Sequence, residues 1–464
     1  MTPDVTAGDG GTGRRPRAVF YTLGCKANLY DTACMMNRLR DAGWEVATPT
    51  HDRSGAARAR GKAGTRKPSV DLFVINSCAV TARAESKSRQ LARSLKRRHP
   101  GALVALVGCY SEINREQAAQ AAGVDFVLGT ADREALPELV AGRGLAASPG
   151  EERIPGAFAA ERTRAAVKVQ DGCEQFCSYC VIPYARGPCR SRPAEDVLDE
   201  VSRLVKEGFR EVVLTGIHLG RWGSGASWGA GKVPGAGETS GPRLADLVRR
   251  VAAVPGLARV RLSSIEPMEI TDELLDLIGG DPRVCRHLHV PLQSGSDRVL
   301  ERMNRGYTAV EYLAVVDRAN RAIPGLGLTT DVMVGFPGEE EDDFEATLDV
   351  VRRARFSRLH VFRYSRRPNT AAADMPGQVS AGTKKARSER VIALGRELAL
   401  RFHQGLIGRK LEVLVEKVSA GRAEGLTDNY ARAVFAAKGS CPNDIVPVRV
   451  VRATASGISG EIAG

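Results

Sequence analysis

Three cysteines stand close together in the segment DGCEQFCSYC, where Cys173, Cys177 and Cys180 form the pattern C-x3-C-x2-C. Three thiolates in one short loop can ligate three irons of a 4Fe-4S cube and leave the fourth iron open. A closed structural zinc site normally takes four ligands, and this loop has no nearby histidine to supply the fourth. Cys189 is the competing fourth ligand, but two prolines intervene. The spacing therefore favours an iron–sulfur cluster over zinc.

A second set of cysteines is spread along the N-terminal part of the chain. Cys25, Cys78 and Cys109 each follow a predicted strand, in VFYTLGC, LFVINSC and LVALVGC. Because the carboxyl ends of parallel strands meet at one edge of a sheet, these thiols can converge and hold a second cluster. The alternative is ordinary packing, since buried cysteines often act as small apolar residues. The other four cysteines fit neither pattern and are assigned to packing or the surface: Cys34, Cys189, Cys285 and Cys441.

The elements that must position the second set alternate between short apolar runs and helical patterns over residues 17–142. Such alternation predicts a parallel α/β sheet domain. The expected strands are Ala18–Leu23, Trp44–Ala47, Leu72–Asn76, Ala102–Gly108 and Phe126–Leu128. Residues 1–16 and the basic stretch 51–69 show no apolar period, so both are predicted to be disordered.

The C-x3-C-x2-C loop lies in the central region, residues 159–395, where strand–helix alternation occurs six times. This rhythm predicts a partial (βα)6 barrel with its chemistry at the carboxyl ends of the strands. The expected strands are Ala165–Val169, Glu211–Leu214, Arg259–Ser263, His287–Val290, Leu328–Val334 and Leu359–Arg363. Residues 143–163 are interpreted as a linker, and residues 223–241, rich in glycine and serine, as a flexible insertion.

Residues 399–464 contain short strands separated by turns and follow a long predicted helix, about Ala381–Leu406. They predict a small β-barrel of the oligonucleotide-binding kind. The 464-residue chain has a net charge of +13, which favours a polyanionic partner, with a basic but inert surface as the alternative. No apolar run is long enough to span a membrane, and no signal peptide is seen, so a cytoplasmic protein is expected.

Longer motifs around these residues carry a family resemblance. They include TLGCKANLYDT, NSCAVTARAESKSRQ, DGCEQFCSYCVIPYARG, LTGIHLGRWG, HLHVPLQSGSDRVLERMNRGYT and LTDNYARA. The chain resembles the radical S-adenosylmethionine (radical SAM) methylthiotransferases, and among them the MtaB type, which acts on threonylcarbamoyladenosine in tRNA. The resemblance implies an N-terminal methylthiotransferase domain, a radical SAM barrel and a C-terminal RNA-binding TRAM domain.

The implied activity converts N6-threonylcarbamoyladenosine next to the anticodon into its 2-methylthio derivative. The resemblance implies two 4Fe-4S clusters and S-adenosyl-L-methionine: the loop cluster generates an adenosyl radical, and the N-terminal cluster carries the sulfur. Implied partners are the tRNA anticodon stem-loop, an electron donor such as flavodoxin or ferredoxin, and a sulfur donor. The alternatives are methylthiolation of isopentenyladenosine in tRNA or of a ribosomal protein, and a non-enzymatic RNA-binding iron–sulfur protein.

Six further residues are expected to contact S-adenosylmethionine. The resemblance puts Tyr179 against the adenine, and the others lie at strand ends, where a turn or a solvated loop is the plainer interpretation. They are Tyr179, Thr215, Gly216, Glu266, Gln293 and Gly335. The chain departs from the family pattern at Arg363, where proline is usual, and at Asn369, where glycine is usual.

RNA contacts are expected at two places. Arg186, Arg190 and Arg192 follow the cysteine loop and could hold the tRNA backbone or a carboxylate of the modified base, or form a solvated basic turn. Tyr430 in LTDNYARA could stack on a base or pack on the small barrel.

Overall fold

The computed structural model describes residues 14–49, 69–143, 145, 163–224, 226–227 and 243–463. The segments expected to be disordered, 1–16 and 51–69, the linker 143–163 and the insertion 223–241 fall largely outside these described residues. The described chain divides into two compact units. One contains the described residues before 146 except Val80–Ala82, and the other contains Val80–Ala82 and all described residues from 163 onward.

The N-terminal unit is built on a five-stranded parallel sheet with strand order β2-β1-β3-β4-β5. Its strands are β1 (Arg17–Thr22), β2 (Glu45–Ala47), β3 (Leu72–Ser77), β4 (Leu103–Gly108) and β5 (Phe126–Leu128). Its helices are α1 (Lys26–Asp41), α2 (Ala82–Arg98), α3 (Cys109–Ile113), α4 (Arg115–Ala119) and α5 (Leu136–Ala141). All six residues of β3 are buried, which is typical of a central parallel strand covered on both faces.

The larger unit begins with six parallel strands. They are β6 (Arg164–Lys168), β9 (Glu211–Thr215), β11 (Arg259–Leu262), β12 (His287–His289), β13 (Gly327–Val334) and β14 (Arg358–Arg363). Two three-stranded sheets, β6-β9-β11 and β12-β13-β14, meet through isolated bridges between Val260 and Val284 and between Ser264 and His289. The predicted α/β class and the partial barrel are therefore confirmed, with strand bounds within one residue of those expected.

Helices alternate with these strands and cover the outside of the barrel. They are α6 (Ile182–Arg186), α7 (Ala194–Lys206), α8 (Leu244–Ala252), α9 (Asp272–Gly280), α10 (Asp297–Arg302), α11 (Ala309–Ala322), α12 (Glu341–Ala354) and α13 (Ala371–Asp374). Three two-residue strands, β7 (Gln170–Asp171), β8 (Arg190–Ser191) and β10 (Ala226–Ser227), form a small sheet beside the cysteine loop. Apolar residues of β13, such as Leu328 and Val332, pack against the helices. Because side chains alternate along a strand, the residues between them face the interior of the barrel.

The chain then forms the long helix α14 (Ala381–Gln404) and a closed five-stranded barrel of order β15-β16-β17-β19-β18. The barrel strands are β15 (Lys410–Ser419), β16 (Arg422–Thr427), β17 (Arg432–Ala436), β18 (Ile445–Thr454) and β19 (Gly457–Ile462). Its own apolar core includes Val413, Phe435 and Val448. The predicted small β-barrel is thus present. Among the described residues, no helix is long and apolar enough to cross a membrane.

Candidate metal centres

The C-x3-C-x2-C loop directly follows β7 and is fixed by backbone hydrogen bonds at both ends. The amide of Cys173 donates to the carbonyl of Gly187 (3.0 Å), and the amide of Ser178 donates to the carbonyl of Met303 (3.0 Å). Gly172 has φ +79°, and a Cβ there would collide with the carbonyl of Pro188. The chain therefore needs glycine immediately before the first cysteine.

A buried ion network lies directly beneath this loop. The carboxylate of Asp171 pairs with Lys168 (2.9 Å) and Arg186 (2.8 Å), and all three side chains are almost fully buried. Burial opposes ionisation, but the two cations hold the pKa of Asp171 well below its usual range. Arg186 is thus paired inside the protein, which neither sequence interpretation, RNA contact or solvated turn, anticipated.

The three cysteines of the loop are half-buried. Burial raises the pKa of Cys177 despite the nearby Arg305, and burial raises the pKa of Cys180 to about 12. These two thiols therefore need a bound cation to stabilise their thiolates. Three soft donors at this spacing in one half-buried loop fit an iron–sulfur cube with one open iron.

Charged side chains reach the cysteine sulfurs from other strand ends. Arg305 donates to Cys177 Sγ (3.4 Å) and also pairs with the carboxylate of Glu266. Although Arg305 opposes the effect, burial raises the pKa of Glu266. The predicted residue Glu266 is therefore near the cysteine loop, but it faces an arginine that the sequence motifs did not single out.

His218 approaches the loop from the other side. Its Nδ1 is 3.6 Å from Cys173 Sγ, and its Nε2 is 2.7 Å from Glu269. Burial disfavours the cation, but hydrogen bonds with Cys173, Cys189 and Glu269 raise the pKa of His218 to about 12. Cys189, which was assigned to packing, is buried and shares this histidine with the first cysteine of the loop.

The remaining predicted cofactor contacts lie at or beside strand ends. Tyr179 meets Phe336 edge to face, with ring centroids 6.4 Å apart. Thr215 is buried at the end of β9, and a Cβ on Gly216 would lie 3.0 Å from the side chain of Gln170. Gln170 in turn accepts the amide of His218 (2.7 Å), so the first two strand ends are joined next to the loop.

Two predicted contacts have a local structural reason as well. Gln293 has φ +64° and is hydrogen-bonded through its backbone to β13. Gly335 has φ +74°; its amide donates to Glu339 (2.5 Å), and a Cβ there would collide with Lys384. The glycine is therefore required by its protein neighbours, whatever a cofactor adds.

The three N-terminal cysteines lie at one edge of the five-stranded sheet. Cys78 and Cys109 directly follow Ser77 and Gly108, which are paired in the β3–β4 register, and Cys25 caps α1 after β1. Cys78 and Cys109 are buried, while Cys25 is exposed. A Cβ on Gly24 would lie 2.9 Å from Cys78 Sγ, so the loop before Cys25 runs against Cys78. The structure thus brings all three to adjacent strand ends.

Neutral side chains hold this edge together. Asn28 donates to the carbonyls of Leu23 (2.8 Å) and Ser77 (3.0 Å), which joins the loops that precede Cys25 and Cys78. Asn76 donates to the carbonyl of Asn28 (2.8 Å). An edge with two buried thiols and one exposed thiol fits a second iron–sulfur cluster with three protein ligands.

The other residues singled out for RNA contact or family departure have varied surroundings. Arg192 pairs with Glu200 (2.6 Å), while the Arg190 side chain is 42% exposed. Tyr430 stacks on His287 with ring centroids 4.4 Å apart, so its ring packs against the end of the partial barrel. Asn369 has φ +65°, a conformation that asparagine adopts more readily than other residues with a Cβ, which explains why it replaces glycine.

Comparisons with known proteins agree with this architecture. The "Radical SAM superfamily" model matches residues 167–351, and the "Uncharacterized protein family UPF0004" model matches residues 17–129. The chain is 36% identical to the threonylcarbamoyladenosine tRNA methylthiotransferase MtaB of Bacillus subtilis, over 94% of this chain and 93% of that protein. The corresponding protein of Thermotoga maritima is 35% identical, over 89% and 90%.

A second kind of relative and a solved structure complete the comparison. The tRNA-2-methylthio-N6-dimethylallyladenosine synthase of Moorella thermoacetica is 35% identical, over 96% of this chain and 97% of that protein. The radical S-adenosylmethionine methyltransferase TsrM from Kitasatospora setae, solved with cobalamin and a 4Fe-4S cluster, has a TM-score of 0.55 at 16% identity. The match covers 89% of this chain and 81% of that one. This last likeness concerns the fold alone.

Proposed function

The chain belongs to the methylthiotransferase family of radical SAM enzymes, and from this premise we propose that it converts N6-threonylcarbamoyladenosine next to the tRNA anticodon into its 2-methylthio derivative. Family membership brings S-adenosylmethionine and a 4Fe-4S cluster as cofactors. The observation that carries the proposal is the presence of two three-cysteine sets, one in the loop after β6 and β7 and one following the parallel strands β1, β3 and β4. The names of the MtaB relatives support the nucleoside.

Cys173, Cys177 and Cys180 are the proposed ligands of the first cluster, and Cys25, Cys78 and Cys109 those of a second. When bound, the first cluster would supply the electron that cleaves S-adenosylmethionine, so that a hydrogen atom can be removed from C2 of the tRNA adenine. The second cluster would supply a soft site for the sulfur. Side-chain acids and bases cannot activate the C2–H bond of an adenine. One site is therefore needed to remove the hydrogen atom and another to deliver the sulfur.

The protein's own side chains and backbone groups would bind and orient S-adenosylmethionine. Tyr179 offers an aromatic surface for the adenine of S-adenosylmethionine. Glu266 and Arg305 form an ion pair beside Cys177. Thr215, Gly216, Gln293 and Gly335 line neighbouring strand ends, where backbone groups can approach the same ligand.

Further parts of the proposal concern partners. The closed C-terminal barrel is proposed to be a TRAM domain that binds the anticodon stem-loop, in keeping with the net charge of +13. An electron donor such as flavodoxin or ferredoxin and a sulfur donor are required by the chemistry. We also propose a cytoplasmic site of action, because the substrate is tRNA.

The choice of nucleoside rests on the motifs TLGCKAN and TGIHLG rather than on overall identity, which is 36% for one MtaB relative and 35% for one dimethylallyladenosine synthase. Mass spectrometry of tRNA nucleosides from a strain lacking the gene tests it. We expect 2-methylthio-threonylcarbamoyladenosine to disappear and its precursor to accumulate, with rescue by the intact gene. Loss of the 2-methylthio-isopentenyl nucleoside instead would assign the chain to the second kind of relative.

A further inference from the structure

Two histidines and one aspartate meet on three adjacent strands of the partial barrel. They are His289 on β12, Asp331 on β13 and His360 on β14, and one ligand atom from each lies within 4.8 Å of the others. His289 Nε2 is 3.3 Å from Asp331 Oδ1, and His360 Nδ1 is 3.5 Å from the same oxygen. The motifs that indicate cluster chemistry give no role to this group.

All three side chains project to the inner face of the barrel. Their strand neighbours Leu288, Val332 and Val361 pack in or against the core that the helices cover, and side chains alternate along a strand. The side chain of His289 is 10% exposed, that of Asp331 24% and that of His360 39%. The group is therefore closed on one side and open to a ligand on the other.

The distances fit the coordination shell of a metal ion. An N–H···O hydrogen bond usually spans about 2.7–3.2 Å. Two ligand atoms, each about 2.0–2.1 Å from a tetrahedral zinc ion, are about 3.3–3.4 Å apart. The separations of 3.3 and 3.5 Å between the histidine nitrogens and Asp331 match the edges of such a coordination shell.

A second layer of contacts orients the first histidine. Thr329 Oγ1 lies 2.9 Å from His289 Nδ1 and can donate to the carbonyl of Leu288 (3.4 Å). When Nδ1–H donates to the threonine, Nε2 of His289 is the ligand atom on the side of Asp331, as in metal-binding histidines. Thr329 Oγ1 also lies 3.1 Å from His287 Nε2, so one hydroxyl orients both histidines of β12.

We propose that His289, Asp331 and His360 bind a divalent transition-metal ion of the zinc class, at a site separate from both cysteine sets. Two imidazoles and a carboxylate form a ligand set that suits such ions. Three protein ligands leave at least one position for water or another oxygen donor. The carbonyl of Asp331 accepts the amide of Gln293 (2.9 Å), so the site lies beside one of the proposed cofactor contacts. The metal site does not depend on which nucleoside is modified.

Zinc binding to the full-length protein tests the site. The clusters are first reconstituted anaerobically so that the cysteines are occupied, loosely bound metal is removed on a chelating resin, and Zn²⁺ is added. We expect about one zinc per chain, with nitrogen and oxygen neighbours at about 2.0–2.1 Å and no sulfur shell at about 2.3 Å in X-ray absorption. Absence of zinc, or zinc with sulfur neighbours, would overturn the proposal.

Three variants locate the zinc. His360→Ala and Asp331→Asn each remove a ligand, and Thr329→Val removes the partner of His289, so each should weaken zinc binding by about tenfold or more. The matched control is His403→Ala. That histidine is hydrogen-bonded to the carbonyl of Thr454 in the C-terminal barrel and is not a proposed metal ligand, so its removal should leave zinc binding unchanged. An unchanged iron content certifies that each variant is folded. Wild-type affinity in His360→Ala and Asp331→Asn would contradict the assignment.

Discussion

The two cysteine sets are assembled by the chain in opposite ways. In the loop set, Cys173, Cys177 and Cys180 stand within one short segment, fixed by an ion network around the buried Asp171. In the edge set, the three cysteines come from three strands and converge only because β1, β3 and β4 are neighbours in a parallel sheet. The first site can therefore be preserved by local sequence, whereas the second depends on the topology of a whole sheet.

Their electrostatic surroundings differ as well. Arg305 and His218 contact the sulfurs of the loop set, and hydrogen bonds with Cys173, Cys189 and Glu269 raise the pKa of His218. The edge set is joined by the amides of Asn28 and Asn76, which carry no charge. Positive neighbours stabilise an electron-rich cluster, because charge and hydrogen bonds to sulfur help to set its potential. The contacts of Arg305 and His218 are those expected for the proposed role of the loop set in accepting an electron.

The largest expected effect comes from removing one set at a time. The loop variant Cys173/Cys177/Cys180→Ala should form neither 5′-deoxyadenosine nor methylthiolated product. The edge variant Cys25/Cys78/Cys109→Ala should still cleave S-adenosylmethionine but make no methylthiolated product. Both are measured by chromatography of the reaction mixture with tRNA. A product formed by the edge variant would break the division of labour between the two sets.

The ion network beneath the loop set should matter next. Asp171→Asn removes the carboxylate charge that pairs with the buried cations Lys168 and Arg186, which costs about 3–5 kcal/mol in the free energy of local unfolding. Amide hydrogen exchange around β7 and β8 measures it. Asp349→Asn, at an exposed helical ion pair with Arg353, is the matched control and should change nothing measurable.

This stabilisation should also depend on pH. Because the folded pKa of Asp171 is depressed, its contribution is complete above the unfolded pKa of about 3.9 and is lost as the pH falls toward the folded pKa. The difference between wild type and Asp171→Asn should therefore shrink below about pH 4. A difference that stays constant from neutral to acidic pH would argue that the carboxylate is not held ionised.

A smaller effect is expected for the neutral counterpart in the edge set. Asn28→Ala removes the donor to the carbonyls of Leu23 and Ser77 and should cost about 1–3 kcal/mol, since buried acceptors lose their partner. Hydrogen exchange in β1 and β3 reports the change. Asn37→Ala, on the exposed face of the same helix, is the control. An effect as large as that of Asp171→Asn would remove the contrast between charged and neutral support.

The smallest expected effect concerns the potential of the loop cluster. Arg305→Lys keeps the positive charge, but a lysine cannot contact Glu266 and Cys177 at the same time. Because a hydrogen bond to sulfur favours the reduced cluster, losing it should lower the reduction potential. A reductive titration followed by electron paramagnetic resonance measures the potential, with Arg318→Lys on the surface as the control. An unchanged potential would mean that the contact with Cys177 does not tune the cluster.

Much of the fold could be read from the sequence because strands and periodicity are local signals. The bounds of β5 coincide with the expected Phe126–Leu128, and the partial barrel was expected with all six strands. Both cysteine sets were also evident, the loop set from its spacing and the edge set because each of its thiols follows an apolar run. What stays a prediction is their occupancy and the roles of the residues at the strand ends.

The partners of these residues could not be predicted, because they come from distant parts of the chain. Arg305 reaches Cys177 across 128 positions, and no local pattern announces that contact. Arg186 looked like a surface cation, but it lies at the end of α6 and is buried against the carboxylate of Asp171. His289, Asp331 and His360 likewise meet only through strand order. Asn369 shows the reverse case, in which an apparent departure is explained by a positive φ.

The number of irons tests the central claim most directly. After anaerobic reconstitution, the wild-type chain should hold about eight irons, and either triple cysteine variant about four, because each set binds one cube. Mössbauer spectroscopy should show 4Fe-4S clusters in all three proteins. About four irons in the wild type, or tightly bound zinc in place of iron, would contradict the account of two cysteine sets that each hold a cluster.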